Sequence, residues 1–213
     1  MSAPRFQSVD AAIDDMSRFG AQAVIHGLAL ASGGNLSARG PSSREVVVTG
    51  KGAFLDQLAA DDFVRMSLDG GALGGGTPSS EWRLHQRTYL ARPDVNAIVH
   101  LHPEHTVLLD ALGKPIRLLT LDHVAYVGRI RRIPFYPNGS DQLADAAAQA
   151  AVDCDCVVLS HHGCSTMSAT VTDAFRKAVN LESAARATYR MLLLGDETTE
   201  FPREKRPLAV HQD

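Results

Sequence analysis

The alternation of apolar and polar positions divides the chain into helical and strand-like segments. Residues 9–31 carry apolar side chains at steps of three and four, which predicts one long amphipathic helix with Asp10 as its N-cap. The apolar positions of this helix are Ala12, Ile13, Met16, Phe19, Ala23 and Leu30. Ser32-Gly33-Gly34 is expected to end it, because glycine is unfavourable inside a helix.

Helical patterns recur later in the chain, each with a capping residue or a proline at one end. The predicted helices are 81–92, capped by Ser79 or Ser80 and ended by Pro93; 103–112, begun by Pro103; 141–152; and 172–193, capped by Thr172. A glycine-rich stretch over residues 69–78 separates the first of these from the preceding segment and is expected to form a loop.

Short runs of β-branched and aliphatic residues predict strands between the helices. The predicted strands are 45–49, 63–68, 97–101, 116–121, 131–135 and 156–159. Because strands and helices alternate, we expect one α/β domain over residues 1–195, with helices flanking a single sheet. Residues 196–213 are polar and contain prolines, which predicts a loose or partner-docked tail.

Composition excludes several classes of protein. The 213 residues are 45% hydrophobic and 21% charged, so the chain can bury a core without disulfides, and its net charge of −3 excludes nucleic-acid binding by phosphate neutralisation. No apolar run approaches the roughly 20 residues of a membrane span, and Met1–Gln7 lacks the apolar segment of a signal peptide. Cys154, Cys156 and Cys164 could offer thiolates to a metal. The favoured interpretation is that they are small buried residues of a protein in a reducing cytoplasm.

Histidines at the ends of two predicted strands indicate a metal site. His100 and His102 are two residues apart on one strand and therefore share a face of the sheet. His162 lies in a Ser-His-His-Gly segment directly after the strand 156–159. Three imidazoles with one open position are typical of catalytic zinc. The alternative is that these are core histidines satisfied by hydrogen bonds.

Three segments have the hydrogen-bond donors that an anion requires. Ser79-Ser80-Glu81 begins a helix, where free N–H groups favour an anion and the glutamate could bind metal or move a proton; a simple capped helix is the alternative. Residues 33–37 combine two glycines with Asn35, or form only a helix stop. Residues 49–52 resemble half a phosphate loop, without its full spacing. Together they favour a small phosphorylated or carboxylated substrate.

Four motifs, taken in order, resemble the class II aldolase/adducin family. They are G-G-N-L-S-A-R (33–39), P-S-S-E-W (78–82), A-R-P-D-V-N-A-I-V-H-L-H (91–102) and L-S-H-H-G (159–163). The resemblance covers about residues 8–195. It implies a single three-layer α/β/α domain with a central, mostly antiparallel sheet flanked by helices. It also implies a homotetramer with active sites at the subunit interfaces.

The same resemblance implies a role for each matching residue. His100, His102 and His162 match the ligands of one Zn²⁺ ion, for which Mn²⁺ or Co²⁺ could substitute, and Glu81 matches the acid/base that also reaches the metal. The positions that match the family's phosphate-binding residues are Asn35, Lys51, Gly52, Ser79 and Ser80. His123 stands where the family carries a catalytic tyrosine, with Tyr126 three residues further on.

The activity implied by the resemblance is that of a zinc-dependent lyase. It would cleave a phosphorylated ketose similar to L-fuculose 1-phosphate into dihydroxyacetone phosphate and an aldehyde, through an enediolate. The same metal and base would serve a decarboxylase, a 4-epimerase or a dehydratase of a sugar phosphate or sugar-acid phosphate, so these alternatives remain open. A non-catalytic adducin-like binding module is disfavoured, because this chain keeps three histidines and Glu81.

Overall fold

A single eight-stranded sheet organises the computed structural model, which describes residues 8–42 and 44–206. The strands are β1 (Asn35–Arg39), β2 (Glu45–Thr49), β3 (Phe63–Ser67), β4 (Ala72–Gly74), β5 (Ala97–Leu101), β6 (Ile130–Ile133), β7 (Cys156–Leu159) and β8 (Gly163–Ser168). Their order across the sheet is β4-β3-β2-β1-β5-β8-β7-β6. Neighbours run antiparallel except for β6 and β7, which are parallel.

Helices cover both faces of this sheet. They are α1 (Val9–Ile25), α2 (Trp82–Ala91), α3 (Glu104–Ala111), α4 (Asp141–Ala151) and α5 (Val171–Leu193). α1 and α5 pack on one face, with α3 beside α5, while α2 and α4 pack together on the other. This arrangement confirms the three-layer α/β/α architecture with a mostly antiparallel sheet.

Two hydrophobic layers enclose the central strands. Met16 of α1 belongs to the same core as Val99, whereas Leu84 of α2 belongs to the core that contains Ile98. Successive side chains of β5 point to opposite faces, and both faces are buried. A strand buried on both sides reads as a continuous apolar run, and for that reason β5 was predictable from the sequence.

The first helix is shorter than its apolar pattern predicts. It begins after Ser8, whose Oγ accepts a hydrogen bond from Ala11 N at 3.1 Å, so Ser8 and not Asp10 is the N-cap. It ends at Ile25 because Gly27 adopts a left-handed φ of 69°. The N–H groups of Gly27 and Leu28 then bond back to the last turn, as in a Schellman motif. Residues 26–31 are therefore not helical.

Three other local predictions are wrong. Neither Ser79 nor Ser80 caps α2 in the ordinary way, because Glu81 is the residue before its first turn and its side chain makes no capping bond. Thr170, and not Thr172, caps α5 by accepting from Asp173 N at 3.1 Å. Residues 116–121 form no strand; they pack on α5, and Arg117 N donates to Thr188 Oγ1 instead of to a sheet partner.

The polar strands were missed altogether. β1, β8 and the short β4 contain serine, threonine, asparagine or glycine and lack the β-branched run that marks the other strands. The described part of the tail docks on the domain, since Phe201 N donates to Leu118 O at 2.7 Å. Residues 207–213 lie outside the described residues. None of the helices in the described chain is long and apolar enough to cross a membrane.

Candidate active site

Side chains from three separate segments converge where β5 ends and the neighbouring β8 begins. His100 and His102 lie at the end of β5, His162 lies in the turn between β7 and β8, and Glu81 precedes α2. Glu81 Oε2 is 3.0 Å from His100 Nε2, and Glu81 Oε1 is 3.3 Å from His162 Nε2. The Nε2 atoms of His100 and His102 are also 3.0 Å apart. These four side chains are called the histidine group below.

The histidine group can hold a divalent metal ion. One donor atom from each of its four residues lies within 4.8 Å of the other three, and no second group of this kind occurs among residues 8–42 and 44–206. Glu81 Oε1 and His100 Nδ1 are buried and have no hydrogen-bond partner within the described chain. Ring nitrogens that face each other and a carboxylate at close range form a donor set that suits a cation.

Electrostatics keeps the group in the state that binds a metal. Burial raises the pKa of the Glu81 carboxyl, but His100, His162 and the amide of Asn35 together lower that pKa by more than burial raises it. The pKa of Glu81 therefore lies well below the usual range. Burial and the neighbouring histidines lower the pKa of His102 to about 3, and burial and His100 also lower that of His162. At neutral pH the carboxylate is therefore ionised and these two imidazoles are neutral, as metal ligation requires.

Asp110 fixes the turn that carries His162. Its carboxylate accepts hydrogen bonds from His161 N at 2.8 Å and from Ser160 Oγ at 3.2 Å, and it pairs with Arg132. His161 has a positive φ of 55°, a conformation that a non-glycine residue adopts only when its surroundings hold it there. Asp110 was not singled out in the sequence, because it occupies an ordinary position in an amphipathic helix.

Gly163 follows this turn and lies against His102. A Cβ atom at Gly163 would come within 2.6 Å of His102 Cδ2 and still closer to the carbonyl of Leu101. Real Cβ atoms do not approach that closely, so the last glycine of the Ser-His-His-Gly segment lets β8 pass directly beside the histidines of β5.

A small polar cavity opens next to the histidine group. It has a volume of about 100 Å³ and is formed by the three donor-rich segments of the sequence together with one further loop. Its lining residues are Ser32, Gly33, Gly34, Asn35, Gly50, Lys51, Gly52, Ser79, Ser80, Glu81, His102 and Asn138. All five predicted phosphate-binding residues therefore line one cavity, here called the anion cavity. Asn138 has no counterpart among the predictions, and its loop carries no recognisable signal.

The remaining residues considered for catalysis or metal binding lie outside the histidine group. His123 is buried in a π-helical turn, where its Nδ1 accepts from Leu119 N at 3.2 Å and its Nε2 lies 3.3 Å from Ser183 Oγ. No hydrogen bond in the described chain joins it to the histidine group. Tyr126 lies beneath the guanidinium of Arg176. The cysteines are buried free thiols outside the group, as the favoured interpretation has it: Cys154, Cys156 and Cys164.

His85 is a buried residue beside the site that the sequence motifs do not predict. It follows Glu81 by four positions, so both side chains lie on the same side of the chain as α2 begins. The Nε2 atom of His85 is 2.5 Å from Oδ1 of Asn35, and Nδ2 of Asn35 donates to Glu81 at 3.1 Å. The four-residue spacing from Glu81 is the signal that could have identified it.

Comparison with known proteins agrees with this geometry. Residues 14–189 match the family described as the class II aldolase and adducin N-terminal domain. L-fuculose phosphate aldolase of Methanocaldococcus jannaschii is 34% identical over 163 residues, which cover 76% of this chain and 87% of that protein. 3-Oxo-tetronate 4-phosphate decarboxylase of Haemophilus influenzae is 29% identical over 83% of this chain and 86% of its own.

Solved structures give the same result. The structure of an L-fuculose 1-phosphate aldolase superposes with a TM-score of 0.86 at 26% identity, covering 95% of each chain. The chain belongs to the class II aldolase and adducin family. The prediction that it is an enzyme, a lyase of the class II aldolase type, is confirmed by these relatives.

Proposed function

We propose that the chain is a zinc-dependent aldolase that cleaves a phosphorylated ketose into dihydroxyacetone phosphate and an aldehyde. The observation that carries this proposal is the position of the histidine group directly beside the anion cavity, with Glu81 and His102 lining both. A substrate whose phosphate occupies the cavity would present its carbonyl to the histidine group. The 34% identity to L-fuculose phosphate aldolase of Methanocaldococcus jannaschii supports a ketose phosphate similar to L-fuculose 1-phosphate.

His100, His102 and His162 would hold the ion, with Glu81 as a fourth ligand at rest. Three imidazoles and a carboxylate are the donors that zinc prefers, which favours zinc over the other divalent ions. When bound there, the ion supplies a Lewis acid that stabilises negative charge on substrate oxygens. The protein's own contribution is to keep the imidazoles of His102 and His162 neutral and to fix the position of the histidines through strand pairing.

Glu81 is the residue that we assign to proton transfer. Its carboxylate is ionised at rest and only 3% exposed, so a proton that it takes up is not exchanged freely with solvent. In cleavage, the substrate hydroxyl that becomes the aldehyde oxygen loses a proton, and the carbon at which the bond breaks gains one. A carboxylate that takes up the first proton can deliver it to that carbon. In the reverse reaction the same carboxylate removes that proton.

The anion cavity would bind and orient the phosphate. Asn35, Ser79 and Ser80 offer an amide and two hydroxyl groups, and Lys51 contributes a positive charge from an exposed loop. Holding the phosphate at a fixed distance from the histidine group positions the reacting bond, which is the main contribution of remote binding groups to catalysis.

We also propose a cytoplasmic homotetramer with active sites at subunit interfaces. The support is the family relationship for the assembly, and the free thiol groups for the compartment. His123 remains our candidate for a second acid/base. The His123 ring is buried and lies against Leu119 and Ser183 of its own chain, so this role requires the ring to become exposed at the active site of a neighbouring subunit.

Decarboxylation of a sugar-acid phosphate is the second candidate function. Two observations favour it: the relative named as a decarboxylase covers 83% of this chain, and Lys51 brings a full positive charge to the cavity. Such a substrate carries a carboxylate as well as a phosphate, and a lysine can bind either group.

A substrate panel separates the two activities. The zinc-loaded enzyme would be incubated with ketose 1-phosphates and with 3-oxo sugar-acid phosphates, while dihydroxyacetone phosphate and carbon dioxide are measured in parallel. We expect dihydroxyacetone phosphate from the ketose phosphates. Decarboxylation of a four-carbon 3-oxo acid 4-phosphate also leaves dihydroxyacetone phosphate, so carbon dioxide is the product that identifies a decarboxylase. Carbon dioxide from the sugar-acid phosphates, without cleavage of any ketose phosphate, would establish the decarboxylase, and no product from either class would reject both proposals.

A further inference from the structure

A row of buried polar groups leads from Glu81 away from the histidine group, into the layer between the sheet and α2. Asn35 Nδ2 donates to Glu81 Oε2 at 3.1 Å, and Asn35 Oδ1 is 2.5 Å from His85 Nε2. The other ring nitrogen of His85 is 2.6 Å from Ser37 Oγ, which is 2.8 Å from the hydroxyl of Tyr89. Every member of this row is at most 4% exposed.

The ionised carboxylate fixes the direction of every hydrogen bond in the row. A carboxylate only accepts, so the Asn35 amide must turn its nitrogen towards Glu81 and its oxygen towards His85. His85 Nε2 must then carry the proton that bonds to this oxygen. Its Nδ1 is left as an acceptor for the Ser37 hydroxyl, whose oxygen in turn accepts from Tyr89.

The charge state of the ring agrees with this direction. Burial, with a smaller contribution from His100, lowers the pKa of His85 to about 3, so the ring is neutral at physiological pH. Burial also raises the pKa of Tyr89, which keeps its hydroxyl protonated as a donor. A neutral ring has one N–H group and one bare nitrogen, as this row requires.

We propose that His85 is a positioning residue that fixes the orientation of the Asn35 amide and, through it, the position of the Glu81 carboxylate. An amide turned the other way would place Oδ1 against that carboxylate, where two acceptors repel. Asn35 also lines the anion cavity, so the orientation of its amide affects both the histidine group and the anion cavity. This inference rests on the proposed role of Glu81.

Two substitutions of His85 provide a matched pair. The amide nitrogen of glutamine reaches about as far as Nε2 of histidine, whereas that of asparagine reaches only as far as Nδ1. H85Q therefore keeps the donor to Asn35, and H85N removes it. We expect H85N to lower turnover about 10- to 100-fold, the loss that follows if the Asn35 amide no longer makes its charge-assisted hydrogen bond to the Glu81 carboxylate. KM should rise by less than turnover falls, because Asn35 is only one of the groups that line the anion cavity. H85Q should restore turnover to within about threefold of the parent enzyme.

Thr188→Val is the control for a purely structural effect. Thr188 is 1% exposed and accepts a hydrogen bond from Arg117 N, on the face of the sheet opposite the row. Its replacement should lower the melting temperature and leave turnover unchanged. If H85N does not fold, Ser37→Ala takes its place, since it leaves Nδ1 of His85 without a partner and should lower turnover in the same direction.

The tautomer of His85 gives a readout that does not depend on activity. Long-range ¹H–¹⁵N spectra of histidine-labelled protein, recorded with and without zinc, should show a neutral ring protonated at Nε2, assigned by its loss in H85Q. A ring protonated at Nδ1, or equal turnover of H85N, H85Q and the parent, would overturn the proposal. Glu81→Gln tests the proposed function separately. Full turnover in that variant would reject the role of Glu81, but the tautomer of His85 expected in the parent protein would stay the same.

Discussion

The two parts of the site are built in different ways. The histidine group lies at the ends of paired strands, and His100 and Glu81 are at most 3% exposed. The anion cavity is formed by loops and by the start of one helix, and Lys51 and Ser80 are exposed. Strand pairing leaves the first part almost no freedom, whereas a loop residue can be exchanged without disturbing the core. The buried part should therefore set the reaction, and the open part should set the substrate.

The largest expected effect comes from the buried part. His100→Ala should remove most of the bound metal and lower turnover by more than about 10³-fold, because a Lewis acid contributes several kcal/mol to a reaction of this kind. Metal content and turnover would be measured on the same samples. His26→Ala, at an exposed histidine after α1, is the control and should keep both values. Full metal occupancy in His100→Ala would contradict the assignment.

Glu81→Gln should have the next largest effect. The substitution keeps the shape of the side chain and removes the base, so turnover should fall by about 10²- to 10⁴-fold with little change in KM. Glu104→Gln changes the first residue of α3 in the same way and should leave turnover intact. If Glu81 only favoured the start of α2, its replacement would cost about 1 kcal/mol of stability and turnover would stay near normal.

Lys51→Met tests the open part. We expect a loss of about 10- to 100-fold in kcat/KM, mainly through KM, because one charge-assisted contact to the phosphate is removed. The loss should disappear with a substrate that lacks the phosphate. Lys114→Met, at an exposed lysine that pairs with Glu197, should change neither constant. A lower turnover at unchanged KM would place Lys51 in the chemical step instead.

Ser80→Ala should have the smallest effect. A hydroxyl that donates one hydrogen bond to a phosphate is worth about 1 kcal/mol, so KM should rise only about two- to tenfold. Turnover should be unaffected, since Ser80 is exposed and its nearest side-chain partner is Asn138 at 3.5 Å. A loss of bound metal in this variant would show that the two parts are not independent.

The sequence predicted the buried apolar strands and most helices, and it failed where polar side chains serve the site. β5 and β7 were recognisable because both of their faces are apolar. β1 was missed because Asn35 and Ser37, which point into the polar row beside Glu81, interrupt its pattern. Tertiary contacts alone reveal Asp110, since it lies on a helix whose polar positions look solvated in one dimension. His85 left only the four-residue spacing from Glu81 as a signal, and its partners Asn35 and Ser37 are distant in the sequence.

The close approach of Gly163 to His102 also limits how this enzyme could be redesigned. At positions 34 and 163 an added methyl group would collide with the strand that carries the histidines, and at position 33 it would collide with the carbonyl of Leu30, so all three should be left out of a mutational library. Lys51, Ser80 and Asn138 are exposed, border the same cavity and carry no such restriction. Saturation mutagenesis of those three positions, with selection on a panel of sugar phosphates, would explore new specificities while the catalytic apparatus stays constant.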